Sequence, residues 1–263
     1  MSTLASRIRS AANSAINELR GRPGAAAADR MRNTIIASDA DKRIAQAVRG
    51  KTMTNPLRVH ALVDAVAYVC ERGIPGAFVE CGVWRGGSVL AMLLKLIDLG
   101  IKDRDVYLYD TFEGMTAPTE KDTSAFEISA LETWTSAQGE GKRGWDRMFS
   151  AEVYTIDTVK ELLRSSGYPE QRLHFVKGPV EQTIPGVAPD AIALLRLDTD
   201  WYESTRHELE HLYPRLSQGG VLIIDDYGHW EGCRQAVDEY FAGRAPRPLL
   251  NRIDYNARIG VKI

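Results

Sequence analysis

The chain is poor in cysteine and carries no excess of basic charge. Its three cysteines, Cys70, Cys81 and Cys233, are odd in number and share no metal-type spacing. They supply neither a disulfide framework nor a zinc knuckle, which suits a reduced, cytoplasmic protein. A formal net charge of -2 speaks against the basic face that phosphate contacts require, so no nucleic-acid partner is expected. No apolar run approaches the ~20 residues that span a bilayer. The N-terminus also lacks the apolar core of a signal peptide, and no membrane role is expected. The dinucleotide signature Gly-x-Gly-x-x-Gly is missing too.

What is present is a chain of 263 residues, enough for one large domain with a full core. Leu4, Ile8, Ala12, Ile16 and Leu19 recur at helical spacing until Gly21-Arg22-Pro23-Gly24 stops the pattern. "NPLRVHALVDAVAYVCERG" repeats the period, with Leu57, Leu62, Val63, Val66 and Val69 on one side. From there strand-like runs ("GAFVECG", "DVYLYDTF", "LHFVKG", "AIALLRLD", "GGVLIIDD") alternate with helix-like ones ("SVLAMLLKLIDLG", "AEVYTIDTVKELLRSSG", "ESTRHELEHLYPRL"). Such alternation predicts an α/β, doubly wound, mostly parallel sheet covered on both faces. "LLNRID" and "ARIGVKI" lie too close for a crossover helix and predict a C-terminal antiparallel hairpin. Residues 1–51 form an N-terminal helical or lid segment, and residues 52–263 the main domain. Within the latter, residues 113–149 make an unusually long connection, expected to be a substrate loop.

In an open parallel sheet, ligands sit beyond the carboxyl ends of the strands, where strand order reverses. "VECGVWRGGS" follows the first strand and opens a helix, so Gly82, Gly86 and Gly87 can bring backbone close to a ligand. Trp84 stands where a pyrophosphate needs a bare glycine, which counts against a nicotinamide-dependent dehydrogenase or epimerase. A nucleoside without pyrophosphate fits better. Asp110 ends the second strand and is placed to accept hydrogen bonds from ribose hydroxyls. Glu80 is placed to face an amino-acid ammonium.

Asp198 ends one strand, while Asp225 and Asp226 end the next. If those strands are neighbours, the carboxylates lie one or two strand spacings apart, each about 4.8 Å. Unpaired acids so close repel, and either raise a pKa or require a cation. An all-oxygen set suits Mg²⁺, and a neighbouring carboxylate can take a proton from an acceptor hydroxyl. His229, on the loop after the pair, is either a base or a structural histidine. Trp201, Tyr202, Tyr227 and Trp230 flank the acids and are either sugar platforms or core. The stretch His207-Glu208-Leu209-Glu210-His211 matches a zinc-protease pattern. Its helix runs away from the mouth of the sheet, with Glu208 and Glu210 expected on a solvated surface beside Arg206. It is set aside as a metal site.

The blocks "TMT", "FVECGVWRGGS", "LYDTFEGM", "FVKGPVEQTIP", "RLDTDWYESTRHELEHLYPRLSQGG" and "VLIIDDYGHWEGCRQAVDEYF" together resemble one family. It is the metal-dependent sugar O-methyltransferases of the macrocin, mycinamicin and novobiocin type, within the class I S-adenosylmethionine (SAM) methyltransferases. The resemblance covers Thr52 to Phe241. It implies a seven-stranded sheet, SAM and Mg²⁺ as cofactors, a small carbohydrate acceptor, and a homodimer or higher homo-oligomer. It also implies that Met53, Glu80, Gly82 and Ser88 hold the methionine end of SAM and that Asp110 holds the ribose. Thr111 and Phe112 flank the nucleoside, and Gly178 to Val180 the adenine. Metal ligands fall on Asp198, Asp225 and Asp226. The base falls on Asp198, with Asp200 and His229 in reserve. A non-catalytic SAM-binding protein is the remaining rival, and it has no need of a repelling acid cluster.

Overall fold

The computed structural model describes residues 37–140 and 153–263. The helix read from Leu4 to Leu19 and the end of the long connection lie outside the described residues. In chain order the elements are α1 (Asp39–Ala47), α2 (Pro56–Glu71), β1 (Ala77–Cys81), α3 (Gly87–Asp98), β2 (Val106–Asp110), α4 (Ala130–Glu140), α5 (Ile156–Arg164) and β3 (Leu173–Lys177). They continue with α6 (Val180–Thr183), β4 (Ile192–Leu197), α7 (Tyr202–His211), β5 (Leu216–Ile224), α8 (Glu231–Phe241), β6 (Asn251–Arg252) and β7 (Arg258–Val261).

One seven-stranded sheet has the order β3-β2-β1-β4-β5-β7-β6. The first five strands are parallel, while β7 runs antiparallel to both β5 and β6. Strand order reverses between β1 and β4, which places the switch point there. The predicted doubly wound sheet and its terminal hairpin are both present.

Side chains alternate across the strands and divide the core in two. Phe78, Leu108, Leu194 and Ile223 face one layer with Val59, Leu62 and Val66 of α2 and Val89 and Leu93 of α3. Val79, Tyr109, Leu195 and Ile224 face the other, with Leu209 of α7 and Val237 and Phe241 of α8. Burying each such aliphatic chain contributes roughly 1.5–3 kcal/mol, which explains why β1 and β4 are apolar on both faces. Leu57, placed by its spacing on the buried stripe of α2, is instead exposed, and Val59 takes the inner position. Neither α4, which lies within the connection expected to be a loop, nor α8 is among the predicted elements. The buried face of α8 is built from Cys233, Ala236, Val237, Tyr240 and Phe241 rather than a leucine stripe.

Two charges interrupt the apolar strands. Glu80 of β1 and Arg196 of β4 are register partners, both fully enclosed, and the guanidinium donates to the Glu80 carboxylate. A buried charge survives only when paired. The start of the long connection is also pinned. Buried Asp122 accepts from Tyr202 N at 2.8 Å, satisfying an open amide of α7, and from Thr119 N at 2.7 Å. Trp201 Nε1 donates to Thr116 O at 3.0 Å.

Candidate active site

The carboxyl ends of β1, β2, β4 and β5 open into one cleft with about 990 Å³ of empty space, its mouth included. Met53, Gly82, Ser88, Asp110, Thr111, Gly178, Val180, Asp198, Asp200, Asp225 and Asp226 all line it. Glu80, Phe112 and His229 are not among its lining residues.

The glycine-loop half of the cleft is built on backbone. Gly82 has φ +85, and a Cβ there would lie 1.9 Å from Asp198 O, so only glycine lets the loop cross the end of β4. The carboxylate of Asp110 organises the rest of that turn. Its Oδ2 accepts from Val83 N at 2.7 Å and Trp84 N at 2.8 Å. Its Oδ1 accepts from Phe112 N at 2.7 Å and the Tyr154 hydroxyl at 3.2 Å. Burial nonetheless holds the Asp110 pKa above the ordinary range. Trp84 and Phe112 have positive φ, +47 and +52, a strained conformation for bulky residues that is typical of binding sites. Phe112 is turned inward against Phe175, which takes it off the cleft wall. On the facing side, Thr52 Oγ1 meets Ser88 Oγ at 3.3 Å, bringing the segment before α2 onto the first turn of α3.

The acid half is built on register. Asp198 N bonds Cys81 O and Asp225 N bonds Leu197 O, both at 2.9 Å, so the two acids leave adjacent strands at one level. One oxygen from each of Asp198, Asp225 and Asp226 lies within 4.8 Å of the others. Arg196 Nη1 donates to Asp198 Oδ2 at 2.6 Å, and its Nη2 to Asp225 Oδ1 at 2.8 Å. Arg58, from the first turn of α2, donates to Asp225 Oδ2 at 2.6 Å. The Asp226 Oδ2 atom is buried with no hydrogen-bond partner. Burial, and then the neighbouring carboxylates, push Asp198 and Asp226 well above the ordinary aspartate range. An orphaned buried oxygen within an all-oxygen donor set fits a hard divalent cation. Asp198 is the most accessible of the three, with 26% of its side chain exposed against 4% for Asp225.

The remaining candidates occupy other positions. Glu80 sits under the floor, drawn there by its register with Arg196; one of its oxygens has no partner. Asp200 has φ +65, and its Oδ1 accepts from Trp230 Nε1 at 2.8 Å. His229 pairs with Glu127 at 3.2 Å and stacks on Phe126. Of the four aromatic candidates, Trp201 lines the cleft, Tyr202 and Trp230 are buried away from its wall, and Tyr227 bonds Asp238.

Sequence reasoning missed three residues that organise the site: Arg58, Arg196 and Glu208. Glu208, expected on a solvated surface, is fully buried, because its turn of α7 faces the sheet under the β4 loop. It accepts from Thr199 Oγ1 at 2.9 Å, and its second oxygen has no partner. Glu210 does lie outside, accepting from Arg206 at 3.0 Å. His207 Nε2 bonds Ile184 O at 2.8 Å, a structural role. A lone charge within an apolar strand was the available signal for Arg196. Nothing local marked the other two.

Comparison with known proteins fits this geometry. The chain is 32% identical over 191 residues to demethyldecarbamoylnovobiocin O-methyltransferase of Streptomyces niveus, covering 73% of this chain and 68% of that one. It is 35% identical over 189 residues to 8-demethyl-8-(2,3-dimethoxy-alpha-L-rhamnosyl)-tetracenomycin-C 4'-O-methyltransferase of Streptomyces olivaceus, covering 72% and 67%. It is also similar to the solved O-methyltransferase NovP, with a TM-score of 0.68 and 31% identity over 80% of this chain and 81% of that one. The model of the macrocin O-methyltransferase (TylF) family matches residues 24–259. The chain therefore belongs to the macrocin O-methyltransferase (TylF) family and is a SAM-dependent O-methyltransferase.

Proposed function

We propose that the enzyme methylates a hydroxyl of a sugar carried by a small glycoside, with a divalent cation, Mg²⁺, at the acid cluster. The observation that carries this reading is the convergence of Asp198, Asp225 and Asp226 in the same cleft as the glycine loop and Asp110. A relative at 35% identity is named for a rhamnosyl-bearing acceptor, which supports the choice of a sugar. When bound, the cation lowers the pKa of a ligated alcohol and fixes its direction of attack.

The chain's own residues do the rest. The β1–α3 loop and the turn around Asp110 orient the donor so that its methyl group points toward the acids. The sulfonium is already activated, so positioning and proton removal are the main tasks. The acceptor oxygen forms a bond to the methyl carbon as the carbon–sulfur bond breaks, leaving a neutral thioether. The alcohol proton passes to Asp198, the most accessible carboxylate of the cluster. Asp200 is engaged by Trp230, and His229, against Glu127, is not among the residues that line the cleft.

Asp225→Ala should lower turnover of a rhamnosylated test acceptor by roughly 10³ while SAM affinity changes little. Calorimetry with SAM and a methyl-transfer assay with and without chelator measure both. Full turnover in the variant, or in excess chelator, removes the metal reading.

A further inference from the structure

Asp225 is distinguished by having a guanidinium on each oxygen, Arg196 on Oδ1 and Arg58 on Oδ2. The two arginines are held differently. Arg196 is enclosed with Glu80, and moving it would leave a buried acid unpaired. Arg58 lines the cleft and has a second anchor, its Nε donating to Asp254 Oδ2 at 2.8 Å. Asp254 is itself fixed in the β6–β7 turn, where Oδ1 accepts from Asn256 N at 2.8 Å and Ala257 N at 2.7 Å. Asn55, the N-cap of α2, donates to Asp254 Oδ2 at 2.6 Å and accepts from Arg58 N at 3.1 Å. Arg58 can thus give up Asp225 and stay attached to the hairpin.

We propose that Arg58 is a positioning residue that competes with the divalent cation for Asp225 and couples cation binding to the donor-side segment Thr52–Arg58. The proposal rests on the metal reading of the cluster. A cation approaching Asp225 Oδ2 meets a positive charge already bound at 2.6 Å. It must either displace that charge or sit beside it, and both weaken its hold. Thr52, Met53 and Thr54 precede the Asn55 cap and line the donor half of the cleft. Whatever shifts Arg58 therefore acts on the cleft wall that Thr52, Met53 and Thr54 form. Such coupling is reciprocal, so donor affinity must respond to cation occupancy as cation affinity responds to the donor.

The test uses the full chain, titrated calorimetrically with MgCl₂, and with S-adenosylhomocysteine in the presence and absence of MgCl₂. Arg58→Gln should bind Mg²⁺ about tenfold tighter, and the Mg²⁺ dependence of S-adenosylhomocysteine affinity should collapse toward none. Arg58→Lys keeps the charge but lacks the planar fork that spans both carboxylates, so its Mg²⁺ affinity should fall between the two. Unchanged or weaker Mg²⁺ binding in variants that melt like wild type overturns the proposal. If Arg58→Gln does not fold, Arg58→Lys decides alone: tighter binding supports the competition and equal binding overturns it. A wild-type chain that binds no Mg²⁺ removes the metal reading and this proposal together. Unchanged binding in the variants removes only the latter.

Discussion

The loop after β1 and the loop after β4 leave neighbouring strands at the same level, yet they present opposite surfaces to the cleft. The first offers bare backbone, because Gly82 must pass Asp198 O where no Cβ fits. The second offers acids, with Asp198 held by Arg196 and Asp200 set in a turn at φ +65. Close approach is achieved by removing side chains. Charge at one point is achieved by burying side chains and paying for their repulsion with counter-charges. The two loops share a boundary, so a change in either is felt across it.

The harshest way to break this division is Gly82→Ala. Its Cβ would collide with the backbone of the acid loop, and we expect about 3 kcal/mol or more of destabilisation, read by chemical denaturation. An unchanged unfolding midpoint would show that the loops are not in contact in solution.

Next comes Glu208, which holds Thr199 from beneath and so fixes both Asp198 and Asp200. Glu208→Leu should reduce kcat about a hundredfold with little change in KM, the signature of a misplaced acid loop. Glu208→Gln, able to accept the same hydroxyl, should stay within about threefold of wild type. Equal losses in both variants would mean that the carboxylate acts through its charge instead. Glu210→Ala, on the exposed side of the same helix, should cost at most about 0.5 kcal/mol.

The gentlest probe is Glu80→Gln under the floor. Burial pushes the Glu80 carboxyl up to about 7 from its ordinary 4.5, against the pull of Arg196. A value raised on folding means that its stabilising contribution is complete below pH 4.5 and is lost as pH rises to about 7. The glutamine variant, neutral throughout, should therefore flatten the decline in Tm over that window. An identical slope in wild type and variant would show that Glu80 is ionised at both ends of it.

Much of the scaffold was legible because periodicity is local. Alternating apolar runs located β1 to β5, and the short gap before "ARIGVKI" gave the hairpin. The acids at the tips of β4 and β5 were legible because strand ends in a parallel sheet mark the ligand side. Other features were not local. The side of α7 that faces the sheet depends on how the helix leaves Trp201, so Glu208 and Glu210 were indistinguishable in a polar run. Arg58 lies 167 positions from its carboxylate, and no pattern in "NPLRVH" points that far.

By itself, then, the sequence determined the order of the strands and of the helices that follow β1 and β4, the glycine loop and the acids that follow the strands, since these depend on side-chain period and turn chemistry. The tertiary structure alone decided which charges meet. It set Glu80 against Arg196 and Arg58 against Asp225, and turned Glu208 inward beneath the acid loop. Electrostatic pairing inside a fold depends on distance through space and on exclusion of water, and neither is written in the spacing of residues along the chain.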